Sequence, residues 1–248
     1  LSFISIVPWA PGVSRRASGF RHYQARRAAQ TGADCTARLA RPERAASWET
    51  PVLTETLPAR AVTVFCGSRF GHDPGLRADM VALGRGIAQA GLRLVYGGGR
   101  VGLMGALADA VLLAGGAVTG IIPEFLTRLE VAHDRLTELV VTESMHSRKS
   151  LMFDRADAFV TMPGGLGTLD ETVEIITWRQ LGLHDKPVFI CNTGGWANAL
   201  LAAFDATVTG GFAGPGTRDL YQVVPSVAAL LPLLVALPAR QGAHTAKL

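Results

Sequence analysis

Apolar positions along this chain follow two spacings, and the switch from one to the other repeats from Ala61 onward. Ala61-Val62-Thr63-Val64-Phe65-Cys66 is short, apolar and rich in β-branched residues, which predicts a first strand. After Gly67-Ser68 and a loop to about Pro74, Met80, Leu83, Ile87 and Ala90 recur at helical spacing and predict a helix over 75–90. Residues 92–96 read as a second strand that runs into Gly97-Gly98-Gly99, then Gly102-Leu103-Met104-Gly105 and an Ala- and Leu-rich helix ending before Gly115-Gly116. Further strands are expected at 117–122, 138–142, 157–162 and 187–191.

Strands separated by helices, with near-continuous apolar runs such as Val188-Phe189-Ile190-Cys191, predict a mostly parallel sheet covered on both faces. With right-handed crossovers this is a Rossmann-like, doubly wound, three-layer α/β/α fold, expected as a single domain over 61–238 with a short tail at 239–248. Ligands in such sheets lie beyond the carboxyl ends of the strands. Three of those ends carry glycine, at Gly67, Gly97 and Gly164, so their three loops are expected to share one cleft. The last apolar run, 227–237, is too short to cross a bilayer and contains Pro232, so it reads as a packing segment and no membrane association is expected.

Residues 1–60 have no clear periodicity and are expected to form a flexible, Arg-rich extension outside the functional domain. Their apolar start precedes the arginines, the reverse of a secretory signal. An organelle transit segment or an upstream stretch read from a misplaced start would have the same composition, and the opening Leu1 favours a fragment or misassigned start. The extension also decides how the charge is read. It carries nine arginines and four acids, a net of +5, so the whole-chain +4 leaves 61–248 near −1. Nucleic-acid binding by the main domain therefore has little electrostatic support, despite a pI of about 9.3, and none is expected.

With 48% apolar and 18% charged residues there is ample material for a core. Cys35, Cys66 and Cys191 are widely spaced and form no CxxC, and the histidines form no HExxH. Neither a disulfide framework nor a metal site is expected, and a reducing, cytoplasmic setting fits.

The chemistry concentrates in two stretches. Met162-Pro163-Gly164-Gly165-Leu166-Gly167-Thr168-Leu169-Asp170-Glu171 ends a strand in glycines and opens a helix, which brings backbone N–H groups and a positive dipole end to one place, an anion site. Thr168-x-x-Glu171 also has the spacing of a capping box, in which both side chains satisfy end-of-helix N–H groups. Glu174, one turn on, reads as part of a solvated face. The second stretch is Glu143-Ser144-Met145-His146-Ser147-Arg148-Lys149. Adjacent Arg and Lys in the first turns of a helix oppose its dipole, and an anionic ligand would explain them; a solvated basic turn is the alternative. Gly97-Gly98-Gly99-Arg100-Val101-Gly102 matches GxGxxG but follows the second strand, and no GxxxxGK[ST] occurs, so dinucleotide and triphosphate sites are poorly supported.

Met145-His146-Ser147-Arg148-Lys149 together with Pro163-Gly164-Gly165-Leu166-Gly167-Thr168-Leu169-Asp170-Glu171 resembles the MHxRK and PGGxGTxxE signature of the Lonely Guy family, cytokinin riboside 5′-monophosphate phosphoribohydrolases often mislabelled as lysine decarboxylases. The resemblance runs from about Ala61 to Val224 and includes Val64–Ser68, Val95–Gly99, Val101–Gly105 and Ile176–Gly182. It implies hydrolysis of the N-glycosidic bond of a nucleoside 5′-monophosphate, with Arg148 and Glu171 as the catalytic pair. Ser68, Glu143, Arg148, Lys149, Gly165, Gly167, Thr168 and Thr177 would contribute to substrate binding. The resemblance further implies a homodimer and neither metal nor cofactor. A noncatalytic nucleotide-binding or cofactor-carrier protein on the same fold is the alternative. Arg69, and Gly195-Trp196-Ala197 where relatives often carry Gly-Tyr-Tyr, depart from the usual pattern and leave base preference open.

Overall fold

A computed structural model describes residues 60–127 and 131–238. Residues 1–59 of the expected extension and the tail at 239–248 lie outside the described residues. Seven strands form one sheet: β1 (Ala61–Phe65), β2 (Arg93–Tyr96), β3 (Val118–Pro123), β4 (Glu138–Thr142), β5 (Ala158–Thr161), β6 (Val188–Cys191) and β7 (Gln222–Val224). Their order is β4-β3-β2-β1-β5-β6-β7, and every neighbouring pair is parallel.

The sheet is covered on both faces because its strands alternate two apolar sets. Val62 and Val64 of β1 join one core with α1 (Gly75–Gln89), α2 (Gly102–Leu113) and α6 (Val227–Val235). Ala61 and Phe65 join the other with α3 (Met145–Arg155), α4 (Leu166–Gln180) and α5 (Asn198–Thr209). The doubly wound, three-layer fold expected from the pattern is therefore present, with strand boundaries shifted by about one residue.

Two elements differ from expectation. β7 escapes the hydrophobic pattern because it is three residues long and largely exposed; only its ladder with β6 makes it a strand. The terminal apolar run is a short helix with Pro232 inside it, started by Ser226, whose hydroxyl accepts the Ala229 N–H at 3.3 Å.

The strand order also positions the site. From β1 the chain winds outward to β4, then returns to lay β5 on the other side of β1. The switch point thus falls between β1 and β5, where crossovers leave in opposite directions and open a crevice.

Candidate active site

The loops after β1 and β5 meet at this switch point. The Gly67 N–H donates to the Pro163 carbonyl at 3.0 Å, and the Met104 N–H of α2 donates back to the Gly67 carbonyl at 3.3 Å. Gly164 is required by this approach: a Cβ there would overlap the Thr168 hydroxyl and lie 2.9 Å from the Gly67 nitrogen. The N-termini of α2 and α4 both open toward these loops, so two positive dipole ends flank the crevice.

The loop after β2 completes the group through Arg148. This side chain leaves the second turn of α3 and is only 6% exposed. Its Nε donates to the Ile121 carbonyl of β3 at 3.1 Å and its Nη2 to the Gly97 carbonyl at 3.3 Å, with Nη1 3.8 Å from the Met145 sulfur. A Cβ on Gly97 would overlap the guanidinium. None of the ion pairs among the described residues includes Arg148. A buried guanidinium held by neutral carbonyls brings a positive charge to the ends of β2 and β3.

Lys149, its neighbour, is arranged differently from expectation. Its ammonium lies 2.6 Å from Asp170 and 3.3 Å from Glu174, both on α4. Burial by itself would lower its pKa, but hydrogen bonds and charge from the two carboxylates outweigh that and raise it. Carboxylates of the chain itself answer Lys149, so no external anion is needed to explain it, and Glu174 is an ion-pair member and not merely part of a solvated face.

The capping-box reading of Thr168 and Glu171 is corrected. Gly165 is the N-cap of α4 and no side chain caps the helix, so Thr168 is its third residue and Glu171 its sixth. Thr168 is buried, and its carbonyl accepts the Thr172 hydroxyl at 2.6 Å. That hydroxyl stands 2.8 Å from Thr161, which must then be the donor. The threonines bolt the start of α4 to the end of β5. The real capping box is Ser144 and Ser147 at α3, each side chain 3.1 Å from the other's backbone N–H.

Glu171 is half-buried on the second turn of α4. Its charge reaches Cys66 at the end of β1: burial first, and the Glu171 carboxylate second, push that thiol above its ordinary pKa. Cys66 is therefore neutral at physiological pH and is no thiolate nucleophile.

The other expected site residues fall in two groups. Gly165 and Gly167 are exposed at the start of α4, and Ser68 and Glu143 are exposed on the loops after β1 and β4. Thr177 stands apart. It is twelve residues beyond the α4 N-cap, roughly 18 Å along the axis, exposed, with its hydroxyl donating to the Val173 carbonyl at 2.8 Å. Within one chain the structure does not bring it to the glycine turn. Sequence reasoning missed Asp170 as a partner of Lys149, and it missed the indole N–H of Trp196, which donates to the Gly164 carbonyl at 3.2 Å. Only the departure of Trp196 from the usual pattern singled it out. Among the described residues no cluster of three or more His, Cys, Asp or Glu side chains offers a metal site.

Glycine turns that meet at the switch point, with a buried arginine beside them, place the chain among the doubly wound α/β proteins, whose ligands lie beyond the carboxyl ends of the strands. Comparison with known proteins narrows it. A family model described as "Possible lysine decarboxylase" matches residues 104–234. A cytokinin riboside 5′-monophosphate phosphoribohydrolase of Rhodococcoides fascians is 46% identical over 174 residues, covering 68% of this chain and 88% of that protein. One of the same name from Arabidopsis thaliana is 40% identical over 175 residues, covering 71% and 82%. The chain belongs to this family, the Lonely Guy phosphoribohydrolases. Among solved structures, the molybdenum cofactor binding protein of Rippkaea orientalis aligns with a TM-score of 0.57 at 21% identity, over 72% of this chain and 97% of that one, which establishes the shared fold.

Proposed function

We propose that this protein hydrolyses the N-glycosidic bond of a nucleoside 5′-monophosphate, with cytokinin riboside 5′-monophosphate as the foremost substrate, releasing the free base and ribose 5-phosphate. The observation that carries the reading is the buried Arg148, whose guanidinium meets carbonyls and a sulfur and no carboxylate among the described residues, and which stands beside glycine turns that offer N–H donors to an anion. The substrate class follows from the names of relatives 40–46% identical to this chain.

In this reaction the bond from ribose C1′ to the base nitrogen breaks with its electron pair leaving on the base. Positive charge grows on the ribose ring, as in glycoside hydrolysis. Glu171 is the carboxylate that stabilises this charge and orients water; the water oxygen bonds to C1′ and one of its protons passes to the departing base. A guanidinium offers hydrogen-bond donors in a fixed planar fork, so the part of Arg148 is to fix phosphate or ribose and polarise the reacting groups. Gly165, Gly167 and the start of α4 hold the phosphate, Thr168 shapes that turn, and Ser68 and Glu143 border the cleft. Lys149 acts from behind, through Asp170 and Glu174.

We also take the active form to be a cytoplasmic homodimer. An exposed stripe of Leu166 and Val173 on α4 and Leu181 at its C-cap supports an apolar partner surface, and Thr177 lies within it. Buried free thiols at Cys66 and Cys191 suit a reducing compartment. Among the described residues no helix is long and apolar enough to cross a membrane.

The test is incubation of the purified protein with AMP and isopentenyladenosine monophosphate, monitoring free base and ribose 5-phosphate. Release from at least one is expected. Tight binding across a panel of nucleotides with no release from any would replace the hydrolase with a carrier.

A further inference from the structure

The glycine turn after β5 is gripped by a side chain that the reaction above does not use. The indole N–H of Trp196 donates to the Gly164 carbonyl at 3.2 Å. Trp196 stands on the turn after β6, and Asn192 fixes that turn. The Asn192 Oδ1 accepts the Ala197 N–H at 2.8 Å, its Nδ2 donates to Asn198 Oδ1 at 2.8 Å, and its backbone N–H donates to Val224 of β7 at 2.8 Å. The indole ring is partly buried against the core shared with α3, α4 and α5. Its position is therefore set by the sheet.

A trans peptide unit is planar, with C=O and N–H pointing in opposite directions. No cis peptide bond occurs among the described residues. Holding the Gly164 carbonyl on Trp196 thus directs the Gly165 N–H away from the indole. Gly165 is the exposed N-cap of α4, and its N–H joins the first-turn donors that an anion would meet. Gly164 has no side chain to anchor this peptide, since the space a Cβ would need is filled by Thr168 and Gly67. The anchor comes instead from Trp196.

We propose that Trp196 is a positioning residue for the phosphate subsite: it locks the Gly164–Gly165 peptide so that the turn meets the 5′-phosphate with its donor already aimed. This rests on the phosphate reading of the glycine turn given above. A peptide left free to rotate would have to be ordered by the ligand, which weakens binding of the phosphate without touching the rest of the substrate.

The experiment uses the full chain in three forms: wild type, Trp196→Phe, and a variant with benzothienylalanine at position 196, which exchanges the N–H for sulfur in a ring of nearly the same shape. Calorimetric titration with ribose 5-phosphate is the primary readout and needs no turnover. Both variants are expected to bind it about tenfold more weakly, as for loss of one oriented donor to a charged group. KM for AMP rises in step, kcat stays within about threefold, and affinity for adenosine, which lacks the phosphate, is unchanged. Unaltered ribose 5-phosphate affinity in the benzothienyl variant overturns the proposal, as does an equal loss of adenosine affinity, which marks a merely structural role. A wild-type protein that binds ribose 5-phosphate but cleaves no nucleotide removes the hydrolase reading and leaves this one standing. A wild-type protein that binds no phosphate ligand removes both.

Discussion

Lys149 of α3 and Asp170 of α4 lie 2.6 Å apart, and the pair ties the two helices together one residue away from Arg148 on one side and from Glu171 on the other. Glu174 adds a second contact at 3.3 Å. The two candidate catalytic residues therefore each sit one position from a charge bridge, and one ammonium meets both Asp170 and Glu174.

Replacing that ammonium tests the arrangement. In Lys149→Met the helices lose their tie, and Asp170 and Glu174 stand uncompensated beside Glu171. We expect kcat/KM for the nucleotide to fall roughly tenfold, as small misplacements do, with partial rescue by Lys149→Arg. Because both carboxylates are partly exposed, the stability lost should be only about 1 kcal/mol. The folded pKa of Lys149 is raised, so its contribution is fully present below the ordinary lysine value of about 10.4 and is lost only as pH rises through the folded value. The stability difference between wild type and Lys149→Met should therefore be flat from pH 6 to 9 in denaturant titrations. Unchanged turnover in the variant would show that the bridge is ornamental.

Glu171→Gln keeps the shape of the side chain and removes its charge. If the carboxylate stabilises the cationic ribose, kcat should drop by about 10²–10⁴, while ribose 5-phosphate binding and the far-ultraviolet circular dichroism stay close to wild type. Single-turnover assays of base release measure this directly. Retained turnover with an intact fold sinks the assignment of Glu171.

The parts of this site that local pattern encodes were legible in the chain itself. Gly67, Gly97 and Gly164 each end an apolar run, and the rule that ligands lie beyond the carboxyl ends of parallel strands already places their loops at one edge of the sheet. What tertiary register decides was not legible. Thr168-x-x-Glu171 has capping-box spacing, but the helix starts at Leu166 because Gly165 takes the N-cap, and Thr168 packs inward with Thr172 beside it. The basic pair Arg148-Lys149 looked like one anion site. Helical rotation of about 100° per residue sends Arg148 into the strand ends and Lys149 across to α4. The grip of Trp196 on Gly164 joins residues 32 apart in sequence, and no periodicity carries that information.

His184 gives the fold a pH dependence remote from the chemistry. Its Nε2 lies 2.9 Å from the Ile175 carbonyl of α4, its Nδ1 is buried with no hydrogen-bond partner among the described residues, and its ring packs edge-on to Phe153 and Phe159. Burial, first, lowers its pKa; the Ile175 carbonyl and Asp185 oppose this, and Lys186 and Arg179 add to it. The unfolded chain therefore binds this proton more readily than the folded one. Stability from neutral His184 is complete above the unfolded value of about 6.5 and declines as pH falls from there toward the lowered folded value. Urea titrations at pH 5.0 and 7.5 should show a larger loss at the lower pH for wild type than for His184→Leu. Equal losses in the two proteins would remove His184 from the acid sensitivity.

Gly97 and Arg148 form a pair whose coupling can be measured. An added methyl at Gly97 collides with the Arg148 guanidinium, so Gly97→Ala should displace the guanidinium from the Gly97 and Ile121 carbonyls. Arg148→Lys keeps the charge but loses the planar fork that holds both carbonyls, and it should lower kcat/KM about 100-fold. Gly97→Ala alone should cost a comparable factor through the same displacement. A lysine has no second terminal nitrogen to meet the new methyl, so in Arg148→Lys the further change Gly97→Ala should cost less than about threefold, far from the additive expectation. Full multiplicative loss in the double variant would mean that Gly97 serves the site by some route other than making room for Arg148.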